Sequence, residues 1–198
     1  MAATKRETVP VGAREAIRDA AMHLFGKQGY AGTSMRDIAN AVGVLPGSLY
    51  AHIQSKEALL VEIVADGIGR FLDAVQPIVA SGDTPAEKLR RMIVAHVEVV
   101  ADNPERSQVV FHQWRYLGPD NLPTALEGRE TFERTFRTVF NEGVAAGQFR
   151  ANLNVRISVR AILGALNWTP EWLSPEGPLS PSEVGAQMAD ALLDGITA

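Results

Sequence analysis

Apolar residues recur at helical spacing along most of the chain, and this periodicity limits the folds available to it. In the first such stretch, Ile17, Ala20, Ala21, Leu24 and Phe25 occupy the i, i+3, i+4, i+7 and i+8 positions of one helix face. No segment shows the strict alternation of apolar and polar residues that a half-buried strand requires. The chain is therefore predicted to be all-α.

Capping and stop residues divide the chain into about nine helices. Thr84 and Ser180 each begin a pattern of cap, first-turn proline and glutamate three residues on, which marks a helix N-terminus. Residues 1–10 are polar and are predicted to form a disordered arm. The first predicted helix ends near Tyr30, the second runs from Thr33 or Ser34 to Gly43, the third begins near Pro46, and the fourth runs from Ser55 to about Ala80. The fifth to eighth cover about 84–102, 104–117, 121–146 and 154–172, and the ninth begins at Ser180.

The composition disfavours several classes of function. The 198 residues include no cysteine, so neither a disulfide nor a thiolate metal site can form. The 4 histidines are scattered, at positions 23, 52, 96 and 112, and no nucleophile–base–acid set can be identified, so we expect no enzyme and no cofactor. No apolar run of about 18 residues is present, and the N-terminus lacks a signal-like apolar core. These features predict a cytoplasmic protein with no membrane partner.

Charge is distributed unevenly along the chain. The net charge is −4, yet residues 1–60 contain seven basic and five acidic side chains. So small an excess is also compatible with ordinary surface charge. A mildly basic N-terminal segment, residues 1–60, is compatible with DNA binding by that segment. The acidic charge of the remaining chain disfavours a nonspecific architectural DNA protein.

The stretch GVLPGSLYAHIQSKEALL, residues 43–60, predicts a helix-turn-helix unit. A second helix of about eight residues, a glycine-containing turn and a very short third helix fit this unit. A helix that enters the major groove can be this short because only its N-terminal side chains contact base edges. Leu49 and Ile53 are expected to anchor its inner face, while Tyr50 and His52 point outward or sideways.

The segment from Tyr30 to Leu59, YAGTSMRDIANAVGVLPGSLYAHIQSKEAL, closely resembles the N-terminal DNA-binding domain of the TetR family of transcriptional repressors. The resemblance implies a homodimer of all-α subunits that binds a pseudo-palindromic operator. Each subunit has a three-helix DNA-binding head, residues 11–55, and a larger ligand-binding and dimerisation body, residues 56–198. Phosphate contacts are implied for Thr33, Tyr50 and Lys56, and contacts to bases or the adjacent backbone for Pro46, Gly47, Ser48 and His52.

Three head residues have more than one interpretation. Leu45 stands where many family members have a polar helix cap, so either the helix is capped otherwise or Leu45 contacts a thymine methyl group. Arg36 is either a phosphate contact or an exposed helix residue. His52 is either a DNA contact or a solvated surface histidine.

The resemblance also implies an effector pocket within the predicted fifth to eighth helices and a dimer interface formed by the eighth and ninth. The last two helices carry stripes of small and apolar residues, compatible with subunit pairing or with ordinary intrachain core. These stripes are Ala161, Gly164, Ala165 and Trp168, and then Val184, Met188, Ala191, Leu192 and Gly195.

The predicted sixth helix reads QVVFHQWRYLG and mixes aromatic, polar and cationic side chains. An apolar pocket with a few oriented polar groups needs such a mixture. For each candidate, plain core is the alternative. The candidate ligand-binding residues are His96, Val100, Phe111, Trp114, Arg115, Phe132, Phe136, Leu163, Asn167 and Trp168.

A narrower resemblance links the body to the fatty-acid-degradation (FadR-type) branch, whose members sense acyl-coenzyme A thioesters. It is carried by FHQWRYL, EGVAAGQFR and LNWTPEWLSPEGPLSPSEV. It implies that Arg115 and Arg160 contact coenzyme phosphates, with surface salt bridges as the alternative. Two rival hypotheses are a sensor of an aromatic drug or metabolite that controls an efflux or catabolic gene, and a helical enzyme, which the sequence supports poorly.

Overall fold

A computed structural model describes residues 12–174 and 176–197 of the chain. Within these residues the secondary structure is helical, with one isolated bridge between Phe149 and Thr197 and no strand, so the predicted all-α fold is confirmed. The predicted arm, residues 1–10, lies outside the described part. The helices are α1 (Ala13–Gln28), α2 (Met35–Val42), α3 (Pro46–Leu49), α4 (Lys56–Val79), α5 (Pro85–Asp102), α6 (Pro104–His112), α7 (Leu122–Ala145), α8 (Val155–Asn167) and α9 (Pro181–Leu193), with 3₁₀ segments at Gln113–Tyr116 and Thr169–Glu171.

Side-chain caps fix where several helices begin. At α9 the Ser180 hydroxyl accepts from the backbone N–H of Glu183, and the Glu183 carboxylate accepts from the backbone N–H of Ser180. The predicted capping box at α5 forms only one of these bonds, from the backbone N–H of Glu87 to the Thr84 hydroxyl at 3.3 Å. Each capped donor would otherwise be unpaired, and such a cap stabilises a helix by about 1 kcal/mol.

Two predicted helices end earlier than expected, and the short α3 has only 4 residues. α3 stops at Leu49, and the next residues form tighter turns whose N–H groups bond three residues back, as from His52 to Leu49. α6 ends at His112 and continues as a 3₁₀ segment in which the Trp114 indole N–H donates to the Phe111 carbonyl. α8 ends at Asn167 and is followed by the 3₁₀ segment that contains Pro170. Pro170 has no N–H to donate to the carbonyl of Leu166, which accepts from the Thr169 hydroxyl instead.

The helix α5 occupies the centre of the body. It packs against α4, α7 and α9 and contributes the fully buried Leu89, Met92 and Ile93. It approaches α9 closely at Gly185, where an added Cβ would lie only 2.8 Å from the Cα of Val94. A larger residue at this position would separate the two backbones, so the glycine permits the close packing of α5 and α9.

The head is formed by α1, α2 and α3, packed on the beginning of α4. Phe25, Ile38 and Leu49 are fully buried there, one from each head helix. α1 also packs against α6 of the body, and an added Cβ on Gly26 would lie 2.8 Å from the Cβ of Glu105. The head is therefore in direct contact with the body at α6 as well as being continuous with it through α4.

Candidate DNA-binding head and effector cavity

The short helix α3 protrudes from the head. Leu45 and Tyr50, at its two ends, have exposed fractions of 72% and 59%. Leu49 and Ile53 are buried beneath it, as expected for the residues that anchor its inner face. Pro46, Gly47 and His52 are exposed and Ser48 is half-buried, while Arg36 is exposed on α2. A convex, largely uncharged surface of this kind can approach the floor of a groove closely.

Lys56 joins the start of α4 to the turn between α1 and α2. Its ammonium group donates to the carbonyls of Tyr30 at 2.8 Å and Thr33 at 2.7 Å, and it lies 4.1 Å from the centre of the Tyr30 ring. Two of its three N–H groups are therefore used inside the protein. Lys56 holds the head turn in place whether or not it also meets a phosphate.

The position of Thr33 argues against the phosphate contact predicted for its side chain. Thr33 is 2% exposed; its hydroxyl donates to the carbonyl of Gly29 at 2.9 Å and accepts from the Gln28 amide at 3.2 Å. The hydroxyl therefore faces the C-terminal end of α1 and not the solvent. Capping of α2 falls instead to Ser34, whose hydroxyl accepts from the Asp37 N–H.

A joint that sequence reasoning missed links the head to residues 113–121, which connect α6 to α7. The Gln113 side chain accepts from the backbone N–H of Tyr30 at 3.0 Å, and the Tyr30 and Tyr116 rings stack at 5.4 Å. Glu57 in the first turn of α4 accepts from the Asn121 amide and from the backbone N–H of Gly118, both at 2.8 Å. These hydrogen bonds lower the pKa of Glu57.

A cavity of about 350 Å³ lies in the body between α4, α6, α7 and α8. Four of the predicted ligand-binding residues line it, and Arg160 does as well. The remaining lining residues lie on all four helices and could not be selected from sequence patterns. The predicted lining residues are Phe111, Phe132, Leu163 and Asn167, and the additional ones are Ile68, Phe71, Val110, Leu126, Arg129, Glu130, Glu133 and Gly164.

Six of the ten predicted ligand-binding residues do not line this cavity. Val100 and Phe136 are fully buried core residues, while Trp114 and Arg115 lie on the 3₁₀ segment after α6 because the helix ends early. Trp168 follows the last residue of α8 and is 58% exposed, on the outside of the body. The sixth, His96, lies behind the aromatic wall of the cavity.

His96 is fully buried, with its ring centre 4.6 Å from that of Phe71 and 5.6 Å from that of Phe111. Within the described structure neither ring nitrogen makes a hydrogen bond of good geometry. Burial lowers the pKa of His96 to about 3, and the nearby carbonyl of Leu166 only partly opposes this shift. The imidazole is therefore neutral and belongs to the aromatic packing.

The charged end of the cavity is formed by α7 and α8. Glu130 and Glu133 of α7 both pair with Arg137, and Glu133 also lies 3.8 Å from Arg160 of α8. Arg129 points to the same cavity but donates to the carbonyl of Val110 at 3.3 Å. The cavity thus combines an apolar, phenylalanine-rich wall with a group of charged side chains at one side.

Comparison with known families matches both parts of the chain. Residues 17–63 match "Bacterial regulatory proteins, tetR family", and residues 82–196 match "Tetracyclin repressor-like, C-terminal domain". The chain belongs to the TetR family of transcriptional repressors. The family resemblance predicted from Tyr30 to Leu59 is therefore confirmed.

Several relatives of this TetR-family protein cover nearly its full length. The HTH-type transcriptional repressor KstR2 of Mycolicibacterium smegmatis is 33% identical over 95% of this chain and 92% of its own. The structure of the ketosteroid transcriptional regulator KstR2 of Mycobacterium tuberculosis superposes with a TM-score of 0.87 at 27% identity, covering 98% and 100% of the two chains. The fatty acid metabolism regulator protein of Bacillus subtilis is 22% identical over 91% of this chain and 93% of its own.

A further structural neighbour was solved with both of its ligands. AibR in complex with isovaleryl coenzyme A and operator DNA superposes with a TM-score of 0.80 at 25% identity, covering 93% of this chain and 97% of AibR. These relatives are regulators, and one of them carries a fatty-acid function in its name, in agreement with the narrower resemblance of the body.

The TetR-family body leaves an apolar stripe uncovered along the outside of α8. Ile157 and Trp168 are 59% and 58% exposed, and the small residues Ala161 and Gly164 lie exposed between them at helical spacing. Trp172, just beyond, is 50% exposed. The small residues give the stripe a shallow centre between bulky ends. Separately, none of the described helices is both long and apolar enough to span a membrane.

Proposed function

We propose that this protein is a homodimeric repressor that leaves its operator when a small molecule enters the cavity between α4, α6, α7 and α8. The observation that carries the proposal is that α4 lines the cavity and also begins in the head. Ile68 and Phe71 line the cavity, whereas Lys56 holds the head turn. At 1.5 Å per residue these points lie about 18–22 Å apart along one helix, so a shift of α4 at the cavity would move the head.

The exposed surface of α3 is proposed to read the operator. Leu45, Pro46, Gly47, Ser48 and His52 would approach bases, whereas Arg36, Tyr50 and the remaining N–H of Lys56 would contact phosphates. A dimer would place two such surfaces in successive major grooves, about 34–36 Å or a multiple apart. A small change in head spacing would then prevent simultaneous docking.

The stripe on α8 is the proposed centre of the dimer, and α9 is proposed to contribute to the same interface. Ile157 and Trp168 expose large apolar side chains, and Ala161 and Gly164 would permit close approach of a second copy of α8. In α9, Met188 and Leu192 are only partly buried in a single chain. Apolar surface of this kind is typical of interfaces that are buried in an oligomer.

An acyl-coenzyme A thioester is the proposed class of effector. The cavity volume of about 350 Å³ is at the lower end of the usual range for ligand pockets, about 300–1,000 Å³, so an acyl group would fill it while the coenzyme extended beyond the charged rim. The complex of AibR with isovaleryl coenzyme A supports this class. The Phe71, Phe111 and Phe132 rings equally favour a flat aromatic molecule, the second candidate.

Fluorescence anisotropy on labelled DNA from upstream of the protein's own gene tests the proposal. We expect binding that isovaleryl or palmitoyl coenzyme A abolishes and that free coenzyme A or the free acids do not. Release by a planar aromatic compound alone would favour the second candidate, and absence of any DNA binding would refute the repressor proposal. Leu163→Phe, which narrows the cavity, should still bind DNA and respond less to the effector.

A further inference from the structure

Arg129 is a cation on the cavity wall that has no carboxylate partner among the described residues. It is half-buried on α7; burial, followed by repulsion from Arg115, lowers its pKa, and the attraction of Glu133 only partly opposes this shift. Its contacts are weak ones: the donation to the carbonyl of Val110 at 3.3 Å and a position 4.8 Å over the Trp114 ring. A guanidinium has five N–H donors, so most of its capacity is unused by the protein.

The carboxylates that could neutralise Arg129 are used by other arginines. Glu130 pairs with Arg137, and Glu133 lies 2.7 Å from Arg137 and 3.8 Å from Arg160. The charged groups that line the cavity are Arg129, Arg160, Glu130 and Glu133, and with Arg137 behind the glutamates the local balance is positive. A half-buried cation with no carboxylate in direct contact costs free energy that an anionic ligand would recover.

We propose that Arg129 binds an anionic oxygen group of the effector, a carboxylate or a phosphate, with its fork of N–H donors. The proposal rests on the proposed function, since it requires that the cavity holds an effector. An apolar wall at Phe71, Phe111 and Phe132 on one side and a free guanidinium on the other would select ligands with an apolar body and one charged end. The bound anion would replace the carbonyl of Val110 as the acceptor.

Matched ligand pairs test this role directly. Isothermal titration calorimetry, without DNA, would compare octanoate with octanamide and isovaleryl coenzyme A with the neutral isovaleryl thioester of N-acetylcysteamine. For wild-type protein we expect the anionic member of at least one pair to bind about 10-fold to 100-fold more tightly, as for hydrogen bonds to charged groups. A preference in the first pair that Arg129→Gln abolishes identifies a carboxylate, and one in the second pair alone that Arg129→Gln abolishes identifies a phosphate.

Variants separate recognition from a merely structural role of Arg129. Arg129→Gln should lose most of that preference while binding the neutral ligands as before, and Arg129→Lys should keep part of it. Arg134→Gln is the control: this arginine is exposed on the same helix and does not line the cavity, so the variant should keep the preference in full. An unchanged preference in Arg129→Gln, or no binding of any probe by wild-type protein, would overturn the proposal. Operator binding, measured separately by anisotropy, shows whether the repressor proposal fails independently.

Discussion

Acidification should destabilise this protein through His96. The imidazole is fully buried, its pKa lies near 3 rather than 6.5, and the unfolded chain regains the ordinary value. Between these two values the unfolded state binds a proton that the folded state excludes, so stability present above pH 6.5 is lost as the pH falls. At about pH 5 the loss amounts to about 2 kcal/mol relative to about pH 7.5.

Urea denaturation at these two pH values measures the effect. His96→Leu, which keeps an apolar side chain among Phe71, Phe111 and Phe132, is the matched control because it cannot bind the proton. Both proteins carry the same carboxylates, so the difference between their losses of stability on acidification is due to His96. We expect the wild type to lose about 2 kcal/mol more than the variant between the two conditions. Equal losses in both proteins would refute the reasoning, as would an NMR signal assigned to the His96 imidazole that titrates near pH 6.5.

Three further predictions concern other parts of the molecule. Gly67→Ala should lower the free energy of unfolding in urea by about 1–3 kcal/mol, because its Cβ would lie 2.2 Å from a side-chain carbon of Val110. Gly69→Ala, on the open side of α4, should raise the free energy of unfolding by about 0.5–1 kcal/mol. Equal effects of the two substitutions would contradict this packing. Tyr50→Ala should weaken operator binding in anisotropy about tenfold without changing the thermal midpoint; unaltered affinity would exclude the contact. Glu57→Gln weakens the hydrogen bonds between α4 and residues 113–121, so it should reduce the effector-induced change in operator affinity roughly 2-fold to 30-fold. An unchanged ratio of operator affinities with and without effector would show that these hydrogen bonds do not couple the cavity to the head.

Local signals predicted the head well. Gly43 ends α2 with φ of 74°, in the left-handed region that favours glycine, and Ser34 caps the same helix. Leu49 is buried as its spacing from Ile53 indicated. Such features depend on a few neighbouring residues, so the sequence reveals them. Local signals could not show that Thr33 is buried, because its surroundings include the distant Lys56, whose ammonium donates to the Thr33 carbonyl.

The cavity was predicted only in part because it is space that four helices leave unfilled. Phe111 and Phe132 could be selected as aromatic residues on helices expected to face one another. Arg129 and Glu133 could not, since charged residues at this spacing usually indicate a solvated face. Trp168 was assigned to the pocket although it lies outside, because periodicity identifies an apolar face without identifying what covers it.

The helix α8 has a further consequence for how this protein can change over evolutionary time. Gly164 both lines the cavity and lies on the exposed stripe, and Arg160 lies at the same edge. On the proposed dimer, a substitution there would alter ligand choice and subunit pairing at once. Changes in ligand preference are therefore expected to arise through substitutions in α6 and α7, whose cavity-lining side chains are not part of the proposed dimer interface.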